Sequence, residues 1–223
     1  LVHRVADGER HVVDMPEPVY AVYFGANAEM GTTKLRFYYE SMVTPGSVID
    51  YDMNTREREV KKRTPVRGYD ASRYATERIT ATASDGTAIP ISIVYQAPLE
   101  RDGTRPVLLE GYGAYGSVEE PSFSIARLAL LDRGVVYAKA HVRGGGEMGR
   151  GWYRDGKLER KTNTFTDFIA CAEHLIAAKI TEPERLAIYG GSAGGLLVGA
   201  VLNMRPELFG AAIADVPFVD VVN

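Results

Sequence analysis

Leu186-Ala187-Ile188-Tyr189-Gly190-Gly191-Ser192-Ala193-Gly194-Gly195-Leu196-Leu197 reads as a strand, a tight glycine-rich turn and the opening of a helix. A bare G-x-S-x-G match is a weak signal, but between a strand and a helix it is the setting in which a serine at the apex of the bend is pushed out of the fold. Small residues at Gly190, Gly191 and Gly194 let the chain turn tightly and let the following helix lie close to the sheet. Ser192 then presents its hydroxyl outward. The N–H of Ala193, at the positive end of the helix, faces the place where negative charge would develop on an attacked acyl oxygen. A glycine-rich turn made only for close packing or phosphate binding is the competing reading, although a P-loop needs a lysine after its glycines and none is present.

Outward from this stretch, strand patterns alternate with helical ones. Arg78–Ser84 and Ile89–Gln96 flank the turn Asp85-Gly86-Thr87, a hairpin signature. Then follow Pro106–Glu110, Gly134–His141, Arg185–Tyr189 and Gly210–Val216, short and apolar on both faces, as strands of a sheet covered by helices are. Phe165, Phe168, Ile169, Ala172, Leu175 and Ile176 follow helical spacing, with Thr164 and Asp167 placed to cap the helix start. The pattern predicts an α/β domain with a mostly parallel sheet.

Residues 1–65 differ. Val19–Phe24, Leu35–Glu40 and Val48–Met53 are rich in aromatic and β-branched residues and are separated by turn material, the rhythm of a β-meander or a propeller blade. Arg56–Arg67 carries six basic and two acidic residues and reads as an exposed edge strand running into a linker. Pro65, Gly68 and Asp70 mark the change of character.

An oxyanion normally needs a second donor, and beside such an elbow it comes from the loop after the third strand. That loop is Glu110-Gly111-Tyr112-Gly113-Ala114-Tyr115-Gly116. A tyrosine between two glycines sits on a backbone too flexible to be chosen for stability, which favours a positioned hydroxyl over an aromatic that lines the pocket floor. A third glycine run, His141-Val142-Arg143-Gly144-Gly145-Gly146-Glu147, is read as architectural.

The 26 basic and 29 acidic side chains give a net charge of −3 over 223 residues, far from a nucleic-acid-binding surface. No apolar run is long enough to cross a bilayer. A single cysteine, Cys171, excludes an intrachain disulfide and a cysteine zinc site and suits the cytoplasm. The histidines and acids lack metal-ligand spacing, so no metal or other cofactor is expected. Leu1 in place of Met, and an apolar run before Asn223, read as a fragment of a longer protein.

Gly111-Tyr112-Gly113, Arg143-Gly144-Gly145-Gly146-Glu147, Gly191-Ser192-Ala193-Gly194-Gly195 and Arg205-Pro206-Glu207-Leu208-Phe209, in this order and spacing, resemble the prolyl oligopeptidase family of serine peptidases. His141-Val142-Arg143 and Val216-Pro217-Phe218-Val219-Asp220-Val221-Val222 resemble its oligopeptidase B members most. The resemblance implies the last part of a β-propeller over residues 1–67 and a partial α/β-hydrolase fold, about six of eight strands, over 68–223. It implies Ser192 as nucleophile, with the Tyr112 hydroxyl and the Ala193 amide as oxyanion donors. It further implies short peptide substrates cut after Arg or Lys, with Glu119 and Glu120 near a second basic side chain; net charge and apolar-run length separately predict no nucleic-acid and no membrane partner. Ser122 stands where some relatives carry an acid, which weighs against a preference for paired basic residues.

In this fold the order along the chain is Ser, then Asp or Glu, then His. His3, His11, His141 and His174 all precede Ser192, so the triad is expected to be completed beyond Asn223 and the 223-residue chain to be inactive and prone to aggregate. Asp215 and Asp220 are read as structural, and His141 as a strand-end histidine satisfied by backbone. The alternatives are a prolyl-specific oligopeptidase, an acyl-peptide hydrolase or esterase on the same scaffold, and a non-catalytic peptide-binding remnant.

Overall fold

The computed structural model describes residues 1–220. The chain divides into two compact units, Leu1–Ala71 with Glu120–Ile125, and Ser72–Glu119 with the residues from Ala126 onward.

In the first unit, β1 (Val2–His3) and β2 (Arg10–His11) form a small ribbon, and β3 (Tyr20–Phe24), β4 (Lys34–Ser41), β5 (Ser47–Asp52) and β6 (Arg58–Arg63) form a four-stranded antiparallel sheet in chain order. Alternation along β4 buries Phe37, Tyr39 and Ser41 while Arg36 and Tyr38 face outward, the period of two that a pleated strand imposes. Phe37 and Tyr39 pack with Ile49 and Tyr51 of β5. Every residue of β6 is exposed, as its charge run predicts. Glu120–Ile125 returns to this unit, with Phe123 N donating to Glu40 Oε2 at 3.2 Å and its ring edge-on to Tyr69.

In the second unit, β7 (Tyr74–Thr82), β8 (Ala88–Gln96), β9 (Val107–Gly111), β10 (Val136–Ala140), β11 (Leu186–Gly191) and β12 (Ala211–Asp215) form one sheet in the order β12-β11-β9-β10-β8-β7. The pairs β12/β11, β11/β9 and β9/β10 are parallel, and β8 is antiparallel to both β10 and β7. The helices between them are α1 (Ile125–Leu131), α2 (Arg150–Arg154), α3 (Thr162–Ala177) and α4 (Ala193–Met204). α3 lies on β7 and beside α4, which covers β11 and β12. Phe168, Cys171 and Leu175 of α3 join Leu197, Val198 and Val201 of α4 and Leu109, Ile188 and Ile91 of the sheet in one core. Each large side chain fully buried there contributes about 1.5–3 kcal/mol. All five residues of β12, at the sheet edge, are exposed.

Thr164 and Asp167 do not cap α3. The helix begins at Thr162 without a side-chain cap, and both residues lie inside it, fully buried. Their polar atoms are claimed by a different partner, the loop that begins at Arg143.

Candidate active site

β11 delivers the chain to Ser192, whose backbone sits at φ 53° and ψ −114°. A residue with a β-carbon held there stores on the order of 1–3 kcal/mol, so the surroundings must hold it firmly. Ser192 N donates to Asp215 O at 3.0 Å, and Ser192 O accepts from Gly195 N (2.9 Å), Leu196 N (3.3 Å) and Phe218 N (3.0 Å). The end of β12 and the segment after it therefore grip the apex, and Asp215 acts through its backbone. Ser192 itself is exposed and Ala193 is buried.

The glycines around the apex are demanded by contact. A Cβ on Gly190 would overlap the Gly194 carbonyl, and one on Gly195 would lie 2.6 Å from Pro217 Cα. At Gly194 a Cβ would lie 2.6 Å from Gly111 O and 3.5 Å from Tyr112 Cα. The missing side chain at 194 is what seats the first turn of α4 against the Tyr112 loop, so Ser192, Ala193 and Tyr112 come from elements in direct contact.

That loop is firmly packed, which corrects the expectation of a flexible backbone. Added Cβ atoms at Gly111 and Gly113 would each fall 2.7 Å from a neighbour, the Phe168 ring and Val142 Cγ2 respectively. Gly113, Tyr115 and Gly116 hold φ of 66°, 59° and 67°. Lys139, buried, clamps both ends: its Nζ lies 3.4 Å from Glu110 Oε1 and 3.1 Å from Glu119 Oε2. Burial first, then the Tyr115 phenol and the Glu119 carboxylate, raise the pKa of the half-buried Tyr112, keeping its hydroxyl protonated and able to donate.

Beside Ala193 lies an open cavity of about 450 Å³ whose walls include Tyr115, Leu196, Phe218, Lys157 and Lys161. It is apolar and aromatic apart from the two lysines.

The loop after β10 is held by the second buried network. Arg143 is 6% exposed and Asp167 fully buried. Asp167 Oδ2 accepts from Arg143 N (3.0 Å) and Nε (2.8 Å), and Oδ1 from Nη2 (2.6 Å). Thr164 Oγ1 donates to Arg143 O at 2.7 Å. Arg143 Nη1 also reaches Asp85 at 2.6 Å. Bonds from Thr87, then Arg143, hold the Asp85 carboxyl down at about 2. A depressed carboxylate contributes stability that is complete above its unfolded pKa and is lost as pH falls through the folded value. The stability difference between wild type and Asp85→Asn is therefore expected to be constant above about pH 4 and to close toward pH 2, as urea titrations between pH 2 and 6 will read.

His141 meets a side chain and not the backbone expected of it: Nε2 lies 2.6 Å from Ser92 Oγ, while Nδ1, 3.6 Å from Glu147 Oε1, makes no hydrogen bond among the described residues. Desolvation lowers its pKa, with Arg78 and Lys139 adding to the effect against the opposing Glu147. Glu119 is ion-paired with Lys139, and its N–H donates to Glu147 Oε1 at 3.1 Å. Glu120 belongs to the first unit, where burial first, and then the Glu120 charge, raise the Tyr23 phenol. Cys171 is fully buried and its thiol pushed up by desolvation. Among the described residues no group of His, Cys, Asp and Glu is placed to hold a metal.

Sequence reading missed Lys139, Lys161 and the Arg143–Asp167 pair, because a buried charge and an exposed one look alike in a sequence. The available signal was Asp167 on the apolar side of α3, four residues before Cys171 and next to Phe168.

An elbow of this shape beside a tyrosine-bearing loop belongs to a hydrolase-type sheet, here preceded by propeller-type strands. The model described as "Prolyl oligopeptidase family" matches residues 121–223, and "Prolyl oligopeptidase, N-terminal beta-propeller domain" matches residues 1–64. Dipeptidyl aminopeptidase BI of Pseudoxanthomonas mexicana is 51% identical over 218 residues, 97% of this chain and 30% of that protein. Protease 2 of Moraxella lacunata is 46% identical over 219 residues, 98% of this chain and 32% of that protein. The closed form of oligopeptidase B from Trypanosoma brucei, with covalently bound antipain, superposes with a TM-score of 0.83 at 50% identity, covering 94% of this chain and 30% of its own. The chain belongs to the prolyl oligopeptidase family. It spans about a third of the length of the relatives it matches.

Proposed function

We propose that the full-length protein carrying this chain is a serine endopeptidase that cuts short peptides after Arg or Lys through an acyl-enzyme on Ser192. The observation that carries the reading is the strained, exposed Ser192 at an elbow packed on the Tyr112 loop. Ser192 Oγ attacks the peptide carbonyl, and the Tyr112 hydroxyl and Ala193 N–H stabilise the oxyanion as it forms. Residues 193–223 contain no histidine and His141 Nε2 is held by Ser92, so we place the general base in the remainder of the full-length protein. The 223-residue chain alone is expected to turn over no Arg ester.

Residues 1–67 are proposed as the end of the propeller and 68–223 as the start of the catalytic domain. Glu119 and Glu120 are proposed as the acids that favour a cationic substrate, Glu119 being held in place by its ion pair with Lys139. A cytoplasmic setting fits the lone cysteine, and no described helix is long and apolar enough to cross a membrane.

Turnover of internal Arg and Lys peptides by the full-length protein tests the specificity. The Tyr112→Phe variant tests the site, with an expected loss of ~10² to 10³ in kcat, the usual cost of one oxyanion donor. Hydrolysis of Pro-containing peptides with Arg-containing ones ignored would overturn the specificity and leave the site intact. A second reading, release of N-terminal dipeptides, is favoured by the name of the 51% identical relative; sequential loss of dipeptides from a peptide substrate would establish it.

A further inference from the structure

The loop that carries Tyr112 is held at its ends by Lys139, but its middle is gripped by a different lysine. Lys161, the residue immediately before α3, directs Nζ to Gly113 O, one residue past Tyr112, at 2.5 Å. The same side chain forms part of the wall of the cavity that Ala193 also lines. We propose that Lys161 is a positioning residue for the reaction: by fixing the Gly113 carbonyl it holds the Tyr112 hydroxyl where the oxyanion develops. This rests on the reading of Ser192 and Tyr112 given above.

The energetics favour a role in function over one in stability. Lys139 shares its buried charge between two carboxylates, whereas Lys161 meets a neutral carbonyl and lies 5.9 Å from the Phe165 ring centroid. Burial pulls its pKa down to about 8, and among the described residues no carboxylate forms an ion pair with it. Among the cavity-lining residues the other charged group is Lys157, whose Nζ sits 4.5 Å over Tyr153. A half-buried ammonium without an acidic partner costs stability that an apolar side chain of similar length would not. A lysine kept at such a place gains its value from the group it orients, the pattern expected where activity and stability trade against each other.

The test uses Lys161→Met in the full-length enzyme, alone and combined with Tyr112→Phe, beside Ser192→Ala. The expected result is a melting temperature unchanged or higher, KM unchanged and kcat lower by roughly 10- to 10²-fold, the scale of a small misplacement of a catalytic group. In the Tyr112→Phe background the further loss is expected to vanish, since residues acting through one group are non-additive. A lowered melting temperature with unchanged kcat, or losses that multiply in the double variant, would overturn the inference. If Lys161→Met yields no folded protein, Lys161→Gln, which keeps a neutral donor, goes through the same cycle with a smaller loss that again disappears with Tyr112→Phe. Full activity in Ser192→Ala would overturn the underlying reading of the site, an outcome separate from any result at Lys161.

Discussion

Ser192→Ala in the full-length protein is expected to lose roughly 10⁶-fold in kcat, the scale seen when a serine hydrolase loses its nucleophile, while still binding peptide. No neighbouring group can substitute for the missing oxygen. Ser192 is the residue at the strained apex, and the flanking positions Gly191 and Ala193 carry no nucleophile. Relief of the strain at φ 53° is modest, because the hydrogen bonds that impose it run through the Ser192 N–H and carbonyl and survive the substitution. The variant is therefore expected to fold at least as stably as wild type. Steady-state turnover of an Arg amide, peptide affinity by fluorescence anisotropy and a melting curve check the three parts. Residual activity within a factor of ten of wild type would remove Ser192 from the chemistry.

Asp167→Asn carries the largest expected effect on stability, about 3 kcal/mol, the lower end of what breaking a buried ion pair costs. Asp167 is fully buried and takes three hydrogen bonds from Arg143. An asparagine there cannot accept them all and leaves the Arg143 guanidinium with Asp85 as its remaining acid, at the half-exposed end. The cost falls on the glycine run as well: a Cβ on Gly144 would overlap Gly113 O, so this loop packs directly on the Tyr112 loop. The urea midpoint of the full-length variant should fall, and kcat should fall with it. Asp85→Asn, acting on the exposed side of the same guanidinium, should cost less at neutral pH.

How much of this was legible in advance depends on range. The elbow is a local device: glycines at fixed offsets around a serine, an apolar strand before and a helix after, all within twelve residues, so Leu186–Leu197 declared it unaided. The apolar strands and the helix of Phe168 and Leu175 were readable for the same reason, since period and burial are written along one element. The Tyr112 loop was readable as a partner, although its glycines turned out to serve close packing and not freedom.

What remained hidden was every pairing made across elements. Thr164 and Asp167 look like a helix cap in sequence and are instead the anchors of Arg143, 21 and 24 residues away along the chain. Lys161 and Gly113 meet across 48 residues, and Lys139 joins two carboxylates on either side of a loop. Local sequence determined the strand, the bend and the exposed hydroxyl, because steric and periodic constraints act between near neighbours. Only the tertiary structure decided which charges are buried and what they hold, because desolvation depends on everything packed around a group and not on the residues beside it in the chain.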